Sequence, residues 1–154
     1  MLELVALSAQ DMPVPIPVQV RYFKKVFAYD KTVPRENIKL LVVYGDATPT
    51  DVREELVEAF NSIGIRATAV KSSQLASAGA DVNVVYAAPG SDIRIIKEFC
   101  RTNGVLSISG LPNLATNGDV SIAINAVNDM PKVIVNPDRL KIEKQDAADL
   151  MRLR

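Results

Sequence analysis

The chain has 154 residues, and its eighteen basic residues balance eighteen acidic ones, with an aromatic content of only 5%. This composition argues against nucleic acid as a partner, since nucleic-acid-binding surfaces are basic and rich in stacking side chains. Histidine is absent, so the usual general base and the commonest zinc ligand are missing, and no catalytic, metal or cofactor site is expected. No apolar run approaches the ~20 residues that cross a bilayer, so membrane insertion is not expected.

Residues 1–17 are predicted to form a flexible lead-in or the remnant of a secretory signal peptide. Residues 4–7 resemble the end of the apolar region of such a peptide, and residues 6–8 match its small-x-small cleavage rule. The first basic residue is Arg21, so the cationic start of a signal is missing, and a loose cytosolic N-terminus fits equally well. Residues 18–154 are predicted to form one domain.

The rest of the chain alternates between helical and strand patterns. Apolar residues spaced by three and four positions predict amphipathic helices, and short continuous apolar runs predict strands covered on both faces. Thr48 and Ser91 are predicted to cap the second and third helices. The predicted elements are, in chain order, a helix over 18–29, a strand over 38–44, a helix over 48–63, strands over 65–70 and 82–87, a helix over 91–103 and a strand over 105–109.

This alternation predicts an α/β fold. Short connections between alternating strands and helices favour parallel pairing with right-handed crossovers, so we expect a Rossmann-like, mostly parallel sheet of order 2-1-3-4 with helices on both faces. Residues 120–126 and 132–136 then alternate in hydropathy around Asn128-Asp129, which predicts a C-terminal β-hairpin with a loop of a few residues. Asp146 is predicted to cap a closing helix.

The turn after the first predicted strand does not carry a nucleotide-binding motif. A dinucleotide site requires Gly-x-Gly-x-x-Gly there, whereas residues 45–50 read Gly-Asp-Ala-Thr-Pro-Thr, and the P-loop pattern is absent as well. A phosphoacceptor receiver domain needs several acids at the strand ends, and Asp46 is the single acid directly after the first strand. Glu54, Glu55 and Glu58 indicate a solvated helix face. We therefore expect a binding or regulatory protein rather than an enzyme.

A ligand of this fold would bind beyond the carboxyl ends of the strands, where the strand order reverses. In this chain that crevice lies between the first and third strands. Two helix N-termini, at Thr48 and Ser91, would together attract an anion there. The alternative is that both hydroxyls simply cap their own helices. The candidate ligand-binding residues are Asp46, Thr48, Ser91, Ser109 and Gly110, together with Gly90.

Ordered segments of the chain resemble the YfiR family. Residues 22–30 (Tyr-Phe-Lys-Lys-Val-Phe-Ala-Tyr-Asp) are similar to its opening helix, and residues 104–110 (Gly-Val-Leu-Ser-Ile-Ser-Gly) to its strand that ends in a turn. Residues 118–124 are similar to its glycine-containing return hairpin. Residues 135–140 and 148–153 are similar to its Asn-started segment and to its final helix with paired leucines. The resemblance covers about residues 18–154.

The resemblance implies a secreted bacterial protein of the periplasm, Rossmann-like and often dimeric. It further implies that the protein restrains a membrane-bound diguanylate cyclase and so lowers cyclic-di-GMP signalling. Well-known members carry redox-tuned disulfides, whereas Cys100 is the only cysteine of this chain and is predicted to be a core residue, so an internal bridge is excluded. A second hypothesis is a small-molecule-binding lobe, since residues 38–110 also resemble half of a periplasmic solute-binding protein.

Overall fold

The computed structural model describes residues 12–78 and 81–153, and within them six strands form one sheet. The strands are β1 (Lys39–Tyr44), β2 (Arg66–Lys71), β3 (Val84–Ala87), β4 (Leu106–Ser109), β5 (Ile122–Val127) and β6 (Met130–Val135). Their order is β2-β1-β3-β4-β5-β6, with parallel pairing throughout except that β6 is antiparallel to β5. The predicted mostly parallel sheet, its 2-1-3-4 order and the C-terminal hairpin are confirmed.

Helices cover both faces of this sheet, as predicted. They are α1 (Ile16–Tyr29), α2 (Thr50–Ser62), α3 (Ile93–Asn103), α4 (Pro112–Thr116), α5 (Pro137–Ile142) and α6 (Ala147–Leu150), with 3₁₀ turns at Ser72–Ser77 and Met151–Leu153. The helices α4 and α5 were not expected from the sequence, because helices this short carry too few apolar residues to show the helical periodicity of hydropathy. Asn136 caps α5 by accepting from the backbone N–H of Arg139.

The first helix begins at Ile16, two residues before the predicted start of the domain. Pro17 fits the first helical turn because its missing N–H has no partner there in any helix. Val14 and Ile16 are already buried in the core, so residues 12–17 are packed rather than a free lead-in. The rest of the predicted lead-in or signal remnant, residues 1–11, lies outside the described residues.

The core has two layers, one on each face of the sheet. Along β1, Leu40 and Val42 pack with α1 and α2, whereas Leu41 and Val43 pack with α3. This alternation of neighbouring residues between two covered faces explains the continuous apolar runs in the sequence. In the first layer three rings meet at centroid distances of 5.8–6.4 Å; they are Phe23 of α1, Phe60 of α2 and Tyr86 of β3.

The backbone conformation of single residues explains two of the predicted turns. Gly104 ends α3 in the left-handed conformation with φ 63°, which glycine adopts without steric cost. The hairpin loop consists of Asn128 and Asp129, both at positive φ (52° and 64°), so it is shorter than the predicted loop of a few residues. Two residues at positive φ match the twist of a tight hairpin.

Candidate functional site

All six candidate ligand-binding residues lie at or just beyond the carboxyl ends of β1, β3 and β4, as the topology requires. The structure divides them into two groups. Asp46, Gly90 and Ser91 line an open cleft, whereas Thr48, Ser109 and Gly110 do not line it and instead hold neighbouring loops and strands together. The cleft lies between the loops after β1 and β3, so part of the predicted crevice is open.

The prediction that Thr48 caps α2 is wrong. The N-cap residue is Pro49, which has no side-chain donor or acceptor. The Thr48 hydroxyl accepts from the backbone N–H of Gly45 at 2.9 Å and donates to the carbonyl of Pro89 at 2.6 Å. These two bonds join the loop after β1 to the loop after β3, so Thr48 holds the two loops together rather than facing the cleft.

The prediction that Ser91 caps α3 is also wrong. Asp92 is the N-cap residue, and its carboxylate accepts from the backbone N–H of Arg94 at 3.1 Å. Ser91 instead donates to the carbonyl of Ala88 at 2.7 Å. A carboxylate at the first turn of α3 already complements the positive end of the helix dipole, so this N-terminus does not attract a second anion.

Two glycines allow the loops after β1 and β3 to touch. A Cβ atom at Gly45 would lie 2.2 Å from the carbonyl oxygen of Gly90, and one at Gly90 would lie 2.9 Å from the backbone nitrogen of Thr48. Gly90 also has φ 88°, a conformation that favours glycine. The backbones of the two loops are therefore in direct contact at these glycines.

The first helix, α1, fills the space beyond the carboxyl ends of β3 and β4. A Cβ atom at Gly110 would lie 2.5 Å from the amide of Gln19 and 2.6 Å from the hydroxyl of Tyr86. Ser109 donates to the carbonyl of Ala87 at 2.7 Å and accepts from the N–H of Leu111 at 3.1 Å, so its hydroxyl is fully engaged. The Ser109 hydroxyl thus bonds to neighbouring backbone, and Gly110 is packed against Gln19 and Tyr86.

Gln19 is the residue that sequence reasoning missed at this point. It is fully buried, its Nε2 donates to the carbonyl of Val14 at 2.9 Å, and its Oε1 accepts from the Tyr86 hydroxyl at 2.5 Å. Met12 Sδ lies 3.2 Å from the same hydroxyl. Burial raises the pKa of the Tyr86 phenol far above its ordinary value, so the group stays neutral. The available signal was a polar residue at a position that helical spacing from Phe23 assigns to the apolar face.

The open cleft lies on the α3 side of the sheet, beyond the carboxyl ends of β1, β2 and β3, with a volume of about 620 Å³. Asp46 and Lys71 form an ion pair across it at 2.9 Å, and this contact lowers the pKa of the Asp46 carboxyl and raises that of the Lys71 amine. Ser72 and the exposed Arg94 were not predicted to line it. Because both members of the ion pair are largely exposed, the pair gives the cleft little net charge or rigidity.

The chemical repertoire of the described residues is small. Among residues 12–78 and 81–153, no group of three or more histidine, cysteine, aspartate or glutamate side chains could hold a metal ion. Cys100 is fully buried on α3, as predicted, and burial raises the pKa of its thiol, with the Glu143 carboxylate acting in the same direction. A protonated thiol without access to solvent is a poor nucleophile.

The densest polar cluster is buried near the amino ends of β4 and β5. The Glu143 carboxylate accepts from the backbone N–H and hydroxyl of Ser107 at 2.9 and 2.6 Å, from the Ser121 hydroxyl at 2.6 Å and from Arg139 Nε at 2.8 Å. Arg139 also donates to the carbonyl of Lys97 at 2.6 Å. Since Glu143 and Arg139 are 0% and 5% exposed, this cluster joins α5 to the sheet and to α3 rather than facing a ligand.

The two most exposed of the large apolar side chains in the described residues lie beside the hairpin loop. Met130 is 66% exposed and Val127 is 44% exposed, on the two sides of the two-residue loop. The outer side of β6 is a sheet edge, and alternation from the Asn136 to Ser121 bond places the proline nitrogen of Pro131 on that edge. A groove of about 310 Å³ between α1 and β6 lies on the other face of the hairpin, beside Pro131 and Val133.

No helix among the described residues is both long and apolar enough to cross a bilayer. Comparison with protein-family models and with curated protein sequences gives no match to this chain. The resemblance to the YfiR family therefore stays a prediction that rests on the order of its motifs.

Proposed function

We propose that this chain is a non-enzymatic regulatory protein that binds another protein through its C-terminal hairpin. One observation carries the proposal: beyond the carboxyl ends of β3 and β4, where this fold can hold a small ligand, the space beside Gly110 is occupied by the chain's own Gln19 and Tyr86. The scarcity of nucleophiles and general bases supports a role without chemistry. The apolar hairpin supports a role in binding.

We call the exposed side chains of Val127 and Met130 the hairpin surface. They point to the α3 side of the sheet, whereas Pro131 and Val133 point to the α1 side. Val127 and Met130 are a register pair next to the loop, so their exposed side chains lie together. An edge strand can accept a strand from a partner, but a proline on the edge removes one of the donors that such pairing needs. Side-chain contacts around Met130 therefore carry more of the proposed interface than backbone pairing does.

The proposed partner follows from the family resemblance. It is a membrane-bound sensor protein such as a diguanylate cyclase, met in the bacterial periplasm, where binding restrains the cyclase and lowers cyclic-di-GMP signalling. A homodimer is part of the same proposal. The exposed apolar side chains near the hairpin, together with Ile142 at 43% exposure on α5, provide surface for both contacts.

Binding to the periplasmic domain of a membrane cyclase or kinase encoded beside this chain tests the proposal. Met130→Lys places a charge at the centre of the hairpin surface, and we expect it to weaken binding about tenfold or more, which corresponds to about 1.4 kcal/mol. Ala76→Lys is the matched control, since Ala76 is exposed in the turn after β2, which is the edge strand at the other end of the sheet. Calorimetry and light scattering measure affinity and oligomeric state. Equal binding by both variants, or no complex with any such domain, contradicts the proposal.

The small-molecule-binding lobe is the second candidate, and the cleft of about 620 Å³ that contains Asp46, Lys71 and Ser91 favours it. A thermal-shift screen against metabolites separates the two functions. A ligand at one hundred times its dissociation constant adds about 2.7 kcal/mol to the free energy of unfolding. A flat response across the screen leaves protein binding as the function.

A further inference from the structure

The carboxyl group of Asp30 is buried without enough hydrogen-bond donors. Asp30 follows the last residue of α1 and is 2% exposed. Its Oδ1 accepts from the backbone N–H of Thr32 at 2.9 Å and lies 2.6 Å from the Thr32 hydroxyl. Its Oδ2 accepts no hydrogen bond from any residue that the structure describes. A buried carboxylate normally has several donors, so the ionised form of Asp30 is poorly accommodated.

The Thr32 hydroxyl cannot supply what is missing, because it is shared. It also contacts Gln145 Oε1, which is an acceptor. The orientation of that amide is fixed, since Nε2 of Gln145 donates to the carbonyls of Gly104 at 3.1 Å and Glu143 at 2.8 Å. One hydroxyl proton thus faces two acceptor oxygens. If Asp30 carries a proton, Asp30 donates to Thr32, and Thr32 donates to Gln145.

The charges around Asp30 do not compensate an ionised carboxyl either. Asp146, the N-cap residue of α6, raises the cost of a second negative charge, and its backbone N–H faces Asp30 without forming a hydrogen bond of standard geometry. Lys31, the neighbouring cation, is 73% exposed and lies 4.0 Å from Asp146 and 3.6 Å from Asp149. The cation is therefore directed to the carboxylates of α6 rather than to the buried group.

We propose that Asp30 holds a proton in the folded protein and acts as a pH-sensitive latch, whose ionisation as the pH rises loosens residues 145–153 from the end of α1. These residues, called the C-terminal segment here, pack on the core through Leu150, which is fully buried. The connection between the segment and α1 includes the chain from Asp30 through Thr32 to Gln145. The latch is independent of the proposed partner.

The pKa of Asp30 supports the geometry. Burial raises it above the ordinary value, an effect larger than the lowering by the hydroxyl and amide of Thr32 and by the amide of Asp146, and the Asp146 charge raises it further. The folded pKa is therefore above the unfolded one, which is about 3.9. The stabilisation is complete below the unfolded pKa and is lost as the pH rises through the folded pKa. Thr32 is exposed, so the proton can leave to solvent beside it.

Urea unfolding of the full chain between about pH 4 and about pH 8 tests the latch, using wild type, Asp30→Asn and the control Glu36→Gln. Asn cannot ionise, and Glu36 is an exposed carboxylate of the nearby loop. We expect the ratio of the wild-type to the Asp30→Asn unfolding constant to rise with pH, by at most about tenfold per pH unit, and then to level off. The ratio of wild type to Glu36→Gln should not rise. A flat ratio for Asp30→Asn overturns the proposal.

Two measurements on the wild-type protein keep the test decisive if Asp30→Asn does not fold. Carbon-13 NMR of the Asp30 carboxyl should show titration above the ordinary aspartate range, and titration within that range overturns the proposal. Amide hydrogen exchange, corrected for its intrinsic pH dependence, should show loss of protection in Ala147–Leu150 over the same pH interval. Unchanged protection there means that ionisation does not loosen the C-terminal segment.

Discussion

Replacing Arg139 with methionine should destabilise the protein strongly, because it leaves a buried charge without its partner. Glu143 is 0% exposed and would keep only the donors of Ser107 and Ser121. Removing one member of a buried ion pair costs about 3–5 kcal/mol. A domain has a total stability of about 5–15 kcal/mol, so Arg139→Met should consume a large part of it.

Urea unfolding followed by circular dichroism measures this effect. With a slope of about 2 kcal/mol per molar urea, the midpoint should fall by about 1.5–2.5 M. The double variant Arg139→Met with Glu143→Leu should cost less than the sum of the single changes, since no unpaired charge remains. Arg101→Met is the control, because its ion pair with Glu98 is more than half exposed and should contribute almost nothing. Equal midpoints for Arg139→Met and Arg101→Met would refute the reasoning.

Three further predictions concern the contact between the loops after β1 and β3, the buried Tyr86 hydroxyl and the buried Cys100 thiol. Gly45→Ala should lower the free energy of unfolding by about 1–3 kcal/mol in urea titrations, because the new Cβ atom meets the carbonyl of Gly90; an unchanged midpoint would show that the loops do not touch. Tyr86→Phe should cost about 1–3 kcal/mol in the same assay, since it removes the hydroxyl that Gln19 accepts from. The Cys100 thiol should react with a thiol reagent at pH 8 only after unfolding, because burial raises its pKa, and rapid labelling of the native protein would contradict its buried position.

Much of the fold could be predicted because its signals are local. The apolar run of β1 and the helical spacing in α2 and α3 are patterns of neighbouring residues, and short connections limit how such elements can pair. Gly104 and Asp146 were placed correctly at helix ends for the same reason. Thr48 and Ser91 are also residue types that commonly cap helices, but their hydroxyls donate to the loop carbonyls of Pro89 and Ala88 instead.

The position of the candidate site could be predicted from the sequence, but whether the space there is open to a ligand could not. Topology alone brings Asp46, Ser91 and Ser109 together at the carboxyl ends of the parallel strands. Whether the space at these strand ends is open depends on two long-range features. One is the contact of Gln19 with Tyr86, 67 positions later in the chain, and the other is the contact between two loops. No local pattern encodes such a contact.

The sequence by itself determined the strand order, the two covered faces and the hairpin, because periodicity and connection length act over a few residues. Only the tertiary structure decided that Gln19 and Tyr86 fill the space beside Gly110, that Asp30 lacks donors and that Arg139 and Glu143 are paired inside the protein. The physical reason is that burial and hydrogen-bond partners are properties of packed neighbours. The free energy of a polar group is therefore set by residues distant in the chain that exclude water from it.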